Sequence, residues 1–168
     1  MQKTMEEVRA EAAICALHAR YCRAVDRLDF DLFRTCFHPD ARMEYGFFSG
    51  DVEAFIVMAR DGLATYSKTT HFIGNQLVEL RGDRAWAEHY TLATHRCPAD
   101  ATGPLRDFVV SFRYLDRLEQ RGGDWRIIKR VLIHDWWRTD PIRELGSGPS
   151  TPSGSRDRDD PSYRVKAE

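Results

Sequence analysis

The sequence lacks any apolar run close to the roughly 20 residues that a helix needs to cross a bilayer. Its N-terminus, MQKTMEEVRAEAA, has no apolar core of the kind found in signal peptides. There is no excess of charge either, because 25 basic residues stand against 26 acidic ones, for a net charge of -1. We therefore expect a cytoplasmic protein with neither nucleic acid nor membrane as its partner.

Cysteine is scarce, and its spacing contains no C-x-x-C pair. The four cysteines are Cys15, Cys22, Cys36 and Cys97. Free buried thiols are favoured over a disulfide or a metal site for residues spaced in this way. The composition, 42% hydrophobic and 30% charged over 168 residues, is typical of one soluble globular domain with a substantial core.

The first part of the chain has the periodicity of helices. Thr4 and Glu7 form the T-x-x-E pattern of a capping box, and apolar residues then recur at helical spacing. The predicted elements are a helix over residues 5–27, a shorter helix that begins at Asp29 and ends before Pro39, a strand at 41–45 and a helix capped by Asp51.

From about residue 69 the pattern favours strands. The predicted strands are 69–81, 85–97, 106–119 and 124–138, separated by short polar turns. Helices followed by strands predict an α+β domain over residues 1–138, with an antiparallel sheet packed against the helices. Residues 139–168 are rich in Gly, Pro, Ser and charge, which predicts a flexible tail or an arm on a neighbouring subunit.

Two residues 45 positions apart, Asp26 and His71, indicate acid-base chemistry. Asp26 falls where the first helix should end, and His71 falls in a strand-like run. A carboxylate that orients an imidazole makes a base, because histidine titrates near neutral pH and a fixed partner sets its tautomer. Each residue also has an ordinary explanation, since Asp26 could cap a turn and His71 could be a satisfied strand histidine.

Four stretches, in this order and spacing, carry a family resemblance: AVDRLDFDLF, FHPDARMEYG, THFIGN and GGDWRIIKRVLIHDW. Over residues 8–138 the chain resembles the SnoaL-like branch of the nuclear transport factor 2-like superfamily. The resemblance implies a cone, in which a curved antiparallel sheet wraps against three N-terminal helices around an apolar pocket. It also implies a small hydrophobic substrate and a homo-oligomer, either a dimer or a trimer, formed through the open face of the sheet.

The resemblance assigns roles to four side chains. Dehydratase and dehydrohalogenase members carry an Asp near the end of the first helix and a His after the third, which Asp26 and His71 match. The motif is closest to bile-acid 7α-dehydratases and hexachlorocyclohexane dehydrochlorinases. Tyr21, five residues before Asp26, matches a tyrosine of the former, and Arg130, five past Trp125, matches an arginine of both.

These matches imply a dehydratase-like lyase that needs no cofactor. His71 would take a proton, with Asp26 orienting its ring. Tyr21 would donate to a substrate oxygen, and Arg130 would stabilise the charge that develops. From the residues alone, Tyr21 could instead be plain core, and Arg130 could pair with a surface acid such as Glu88.

Other residues bear on ligand binding. Tyr45, Phe72 and Trp136 are candidates for the wall of a pocket suited to a ring-bearing substrate. The spacings of His89, His95 and His134 fit no standard zinc pattern, so we expect no metal. Two further functions remain open on the same fold: an isomerase or cyclase that uses the same base, and a non-catalytic module for ligand binding or assembly.

Overall fold

The computed structural model describes residues 3–101, 103–142 and 152–165. Its elements are α1 (Met5–Asp26), α2 (Phe30–Arg34), β1 (Phe37–Glu44), β2 (Ser49–Asp51), α3 (Val52–Ala64), β3 (Lys68–Arg81), β4 (Arg84–Cys97), β5 (Arg106–Arg121), β6 (Asp124–Pro141) and α4 (Pro161–Arg164). The three predicted N-terminal helices and the four predicted long strands are confirmed, with ends shifted by a few residues. The second helix ends earlier than predicted, because β1 begins before Pro39. In the described residues no helix has the length and apolarity needed to span a membrane.

Local capping fixes both ends of the first helix. The Thr4 hydroxyl accepts a hydrogen bond from the backbone of Glu7, whose carboxylate accepts one from the backbone of Thr4. The helix ends at Asp26, and Leu28 then adopts a left-handed φ of 52°, which reverses the chain. Asp29 caps α2 at once by accepting from a backbone N–H. Asp26 is therefore held at a rigid helix end.

The six strands form one curved sheet in the order β2-β1-β6-β5-β4-β3. Strands β3 to β6 form antiparallel hairpins, whereas β1 runs parallel to β6. The prediction of a wholly antiparallel sheet is wrong at this one pair. No hairpin joins β1 to β6, so turn geometry does not dictate their relative direction. The three-residue strand β2 is too short to leave a sequence pattern.

Helices α1 and α3 lie against this sheet and enclose the core with it. Helix α1 packs against β3 and β6, and α3 packs against β1 and β2. Register shifts occur in β3 after Ile73 and in β6 near Ile128 and Asp135. Such bulges bend a strand and increase its twist. The four cysteines are free thiols, as predicted, but only Cys22 and Cys36 are buried, and Cys15 and Cys97 are partly exposed.

The C-terminal part of the chain differs from the prediction made for residues 139–168. The last strand continues to Pro141, where it still pairs with β5, so the domain extends past residue 138. Residues 152–165 then pack against the helices of their own chain, and Asp160 is only 2% exposed. These contacts are mostly polar, so the pattern of apolar residues in the sequence does not indicate them. Residues 143–151 and 166–168 lie outside the described part of the tail.

Candidate active site

Asp26, at the end of α1, and His71, on β3, lie within hydrogen-bonding distance. His71 Nδ1 lies 2.8 Å from Asp26 Oδ1, and the His71 backbone N–H donates to Oδ2 at 3.0 Å. The Thr69 hydroxyl donates to Oδ1 at 2.8 Å. Residues two apart in a strand share a face, so Thr69 and His71 reach the same carboxylate. Three donors thus fix the carboxylate. Thr69 is a site residue that this spacing could have revealed in the sequence.

The partners of the His71 ring determine which of its nitrogens carries the proton when the ring is neutral. Burial raises the pKa of the Asp26 carboxyl, but the hydrogen bonds from His71 and Thr69 outweigh it, so this pKa lies below its ordinary value. An ionised carboxylate only accepts, so the proton of a neutral His71 ring resides on Nδ1. Nε2 is then the basic nitrogen.

An apolar cavity of about 410 Å³ lies beside His71. Its apolar wall is formed mainly by Val25, Phe55, Leu63, Val110, Phe112 and Leu132. His95 and His134 also line it. Burial lowers the pKa of His95 to about 4, so this ring is neutral at neutral pH. A cavity of this size and lining suits a small hydrophobic ligand.

Three tyrosine hydroxyls meet at the wall of this cavity. The Tyr21 hydroxyl lies 3.1 Å from that of Tyr45 and 3.1 Å from that of Tyr114. All three residues line the cavity, and the contact of Tyr45 with a substrate stays a prediction. Two hydrogen bonds within the group use two of the three O–H donors, so one donor remains for a ligand. Tyr114 lies two residues past Phe112 on β5, a strand spacing that could have indicated it in the sequence.

Arg130 lies behind the tyrosines and is not part of the cavity wall. The residue is fully buried, and its guanidinium lies 4.1 Å from the Tyr21 ring centre and 4.0 Å from that of Tyr114. Two hydrogen bonds of 2.7 and 2.6 Å join it to the buried carboxylate of Asp116. The alternative of a pair with Glu88 is wrong, because Glu88 binds Arg113.

Arg130 therefore contacts two tyrosines that line the cavity and not the cavity itself. Burial raises the pKa of the Tyr21 hydroxyl, and the nearby charge of Arg130 opposes that rise. A cation against the faces of two rings also interacts favourably with their π systems. The arrangement places a permanent positive charge next to tyrosines that line the cavity.

Among the residues that the structure describes, one group offers three possible metal ligands: His18, His89 and Asp116. Arg130 already binds both carboxylate oxygens of Asp116, and its charge would repel a second cation. Burial, aided by the charge of Arg130, lowers the pKa of His89 to about 2, so this ring stays neutral. A neutral imidazole can bind a metal, but Arg130 occupies the carboxylate of this group, so the donor set is a poor match for a divalent cation. The absence of a metal stays a prediction.

Phe72 is not part of the cavity. It follows His71 in β3, so its side chain points to the opposite face of the sheet, where it is 67% exposed. The prediction that it binds substrate is wrong for this reason: neighbouring residues of one strand cannot both face the cavity.

Trp136 also lies on the outer face, and its predicted role in the pocket is wrong. It pairs with Ser111, whereas His134 pairs with Phe112, so β6 has one extra residue between the two positions. This bulge reverses the alternation of side chains. Trp137 takes the inner position instead, and its ring centre lies 5.9 Å from that of Phe108.

Comparisons with known proteins agree with this architecture. The family model of the SnoaL-like domain matches residues 6–131. No curated protein matches the chain. A variant of Rv3472 from Mycobacterium tuberculosis, a protein of unknown function, is 30% identical, with a TM-score of 0.65 over 77% of this chain and 74% of that one.

Two solved structures of lower identity share the fold. Kfla4162 from Kribbella flavida is 22% identical, with a TM-score of 0.70 over 76% of this chain and 92% of its own. A hexachlorocyclohexane dehydrochlorinase, LinA type 2, is 17% identical, with a TM-score of 0.71 over 87% and 97% of the two chains. These likenesses confirm the predicted α+β cone.

Proposed function

Because the chain belongs to the SnoaL-like domain family, we propose that it is a dehydratase-type lyase that removes water from a hydrophobic cyclic small molecule. The hydrogen bond between His71 and Asp26 at the wall of an apolar cavity carries the proposal. The tyrosine hydroxyls favour water over halide as the leaving group, because an O–H donates well to a substrate oxygen. A dehydrochlorinase with the same fold is consistent with elimination chemistry in such a cone.

In the proposed reaction His71 is the general base. Nε2 takes a proton from a carbon next to an electron-withdrawing group, and the Asp26 carboxylate stabilises the imidazolium that forms. Positioned proton transfer of this kind contributes ~10²–10⁴ to the rate. The carbon–oxygen bond then breaks, and the proton held by His71 passes to the departing hydroxide to give water.

The tyrosine group binds the oxygen on which negative charge develops. Tyr21, Tyr45 and Tyr114 supply the donor, and Arg130 stabilises the charge from behind the rings. Proton transfer by these side chains requires neither a metal nor an organic cofactor. In this assignment Arg130 keeps its predicted role of stabilising the developing charge and acts through the tyrosine rings, without contacting the substrate.

Mass spectrometry tests the proposed reaction. We expect the protein to convert at least one member of a panel of cyclic β-hydroxy ketones to a product lighter by one water, since such compounds carry an acidic C–H next to a carbonyl. The His71→Gln variant should leave the same compound unchanged. A product of unchanged mass would identify an isomerase instead, and saturable binding with no conversion across the panel would identify a binding module.

The outer face of the sheet supports the expectation of a homo-oligomer. Phe72, Leu92, Ser111 and Trp136 form a row across four strands, and its three apolar members are exposed. Exposed apolar patches of this kind often mark interfaces. We expect the protein to sediment as a dimer or trimer and Phe72→Asp to shift it to monomers. A monomeric wild type in sedimentation velocity would contradict the proposal.

A further inference from the structure

One arginine of the C-terminal segment joins the ends of two helices that form the candidate site. Arg156 Nε donates to the backbone carbonyl of Asp26 at 3.2 Å. Its Nη1 donates to the carbonyls of Leu63 at 2.6 Å and Tyr66 at 2.7 Å. Carbonyls at the C-terminal end of a helix have no partner within the helix. Arg156 therefore binds carbonyls at the end of α1 and at and just beyond the end of α3 simultaneously. The Leu63 carbonyl also accepts from the backbone N–H of Tyr66 at 3.3 Å.

The segment that carries Arg156 is anchored independently of it. The buried Asp160 carboxylate lies 3.2 Å from Nε of Arg27, at the end of α1. Asp29, the cap of α2, accepts hydrogen bonds from Arg158 at 3.0 Å and from the Tyr163 hydroxyl at 2.7 Å. These contacts attach the residues that follow Arg156 to the turn after Asp26.

The guanidinium also places a positive charge close to Asp26. The charged and titratable groups around the pair come from four elements: His71 on β3, His95 on β4, Arg27 at the end of α1, and Arg156. Burial lowers the pKa of Arg156, and the negative charge of Asp26 opposes that fall. His95 is neutral at neutral pH, so the permanent cations on this side are arginines.

We propose that Arg156 is a positioning residue for the Asp26–His71 pair. It holds the end of α1 so that the carboxylate stays in hydrogen-bonding position, and its charge adds to the hydrogen bonds from His71 and Thr69 that favour the ionised carboxylate. The same contacts hold Leu63 and Tyr66, which line the cavity. The inference rests on the proposed function for its catalytic meaning, whereas the coupling between Arg156 and the pair can be measured without a substrate.

The experiment is an NMR titration of the His71 ring in the full-length chain, with Arg156→Gln as the test variant. Removing a nearby cation makes the ring easier to protonate, so the midpoint should move to higher pH by roughly half a unit. Arg156→Lys keeps the charge and should restore most of the midpoint, although a single ammonium cannot remake all three hydrogen bonds. Arg158→Gln is the matched control from the same segment and should leave the midpoint in place.

The outcomes separate this inference from the proposed function. Equal midpoints in Arg156→Gln and Arg158→Gln would overturn it, whether or not a substrate is known. Should Arg156→Gln fail to fold, Arg156→Lys provides the test instead. A His71 midpoint in Arg156→Lys that lies half a unit or more above the wild-type midpoint would overturn the role of the charge. With a dehydration substrate in hand, we expect kcat of Arg156→Gln to fall roughly tenfold or more, because small displacements of a base are costly. Failure of the dehydration assay alone would leave the midpoint shift standing.

Discussion

Replacement of His71 by glutamine is expected to abolish turnover and leave the fold intact. Glutamine has a similar size and can still donate to Asp26, but it has no nitrogen that takes a proton at neutral pH. The expected loss in kcat is ~10²–10⁴ or more, the share usually carried by positioned proton transfer. Product formation measured by mass spectrometry, together with urea unfolding, checks both halves of the expectation.

Asp26→Asn tests the same pair from its other side. An asparagine can present its amide N–H to Nδ1 and so favour the wrong tautomer. We therefore expect kcat to fall by up to ~10⁴. His134→Gln is a matched control, because His134 lines the same cavity from β6 and has no part in the proposed proton transfer. The kcat of His134→Gln should stay within about tenfold of the wild-type value. Near-wild-type turnover in either His71→Gln or Asp26→Asn would refute the proposed base.

The second large effect is expected for Arg130→Met and concerns stability. Arg130 and Asp116 are both fully buried, and the variant leaves the Asp116 carboxylate without its bidentate partner. Removing one partner of a buried ion pair typically costs about 3–5 kcal/mol of unfolding free energy. Urea unfolding of the variant and the wild type at pH 7 measures the difference.

A double variant separates the structural role of Arg130 from its electrostatic role. Arg130→Met with Asp116→Leu removes both buried charges, and such replacements are often neutral for stability. We expect the double variant to recover most of the unfolding free energy. Its turnover should remain slow, because the cation behind Tyr21 and Tyr114 is gone. Full recovery of turnover would show that Arg130 has no electrostatic role. A double variant as unstable as the single one would contradict the importance of the pair.

Much of the fold could be predicted from local patterns. The capping box, the apolar repeat of α1 and the Asp51 cap are short-range signals, and they place the helices within a few residues. The hairpin strands are equally clear, because polar turns separate long β-rich runs. Pairing between β1 and β6 could not be predicted, since no local pattern links strands so far apart in the chain.

The candidate site was predictable where it depends on a helix end or on simple strand phase. Asp26 and His71 are such cases, and the structure brings them together. The prediction for Trp136 is wrong because one extra residue in β6 reverses the alternation of side chains between the two faces of the sheet. A single bulge leaves no clear mark in the sequence. The buried partner of Arg130 was missed because it lies on the neighbouring strand, where register, not spacing, determines the contact.

The C-terminal segment shows the same limit for polar contacts. Its composition resembles that of a flexible tail, and yet Arg156 and Asp160 dock it through hydrogen bonds and an ion pair. Such contacts depend on where carbonyls and charges lie in the folded domain. Local composition contains no information about those positions.

The protonation site of the His71 ring in the resting protein tests the central claim most directly. Long-range ¹H–¹⁵N NMR of the wild type at neutral pH distinguishes a protonated ring nitrogen from an unprotonated one. We predict a proton on Nδ1 and none on Nε2, because the Asp26 carboxylate accepts from Nδ1. A ring protonated on Nε2 with Nδ1 free would contradict the account, since that ring could not take a proton from a substrate in the cavity.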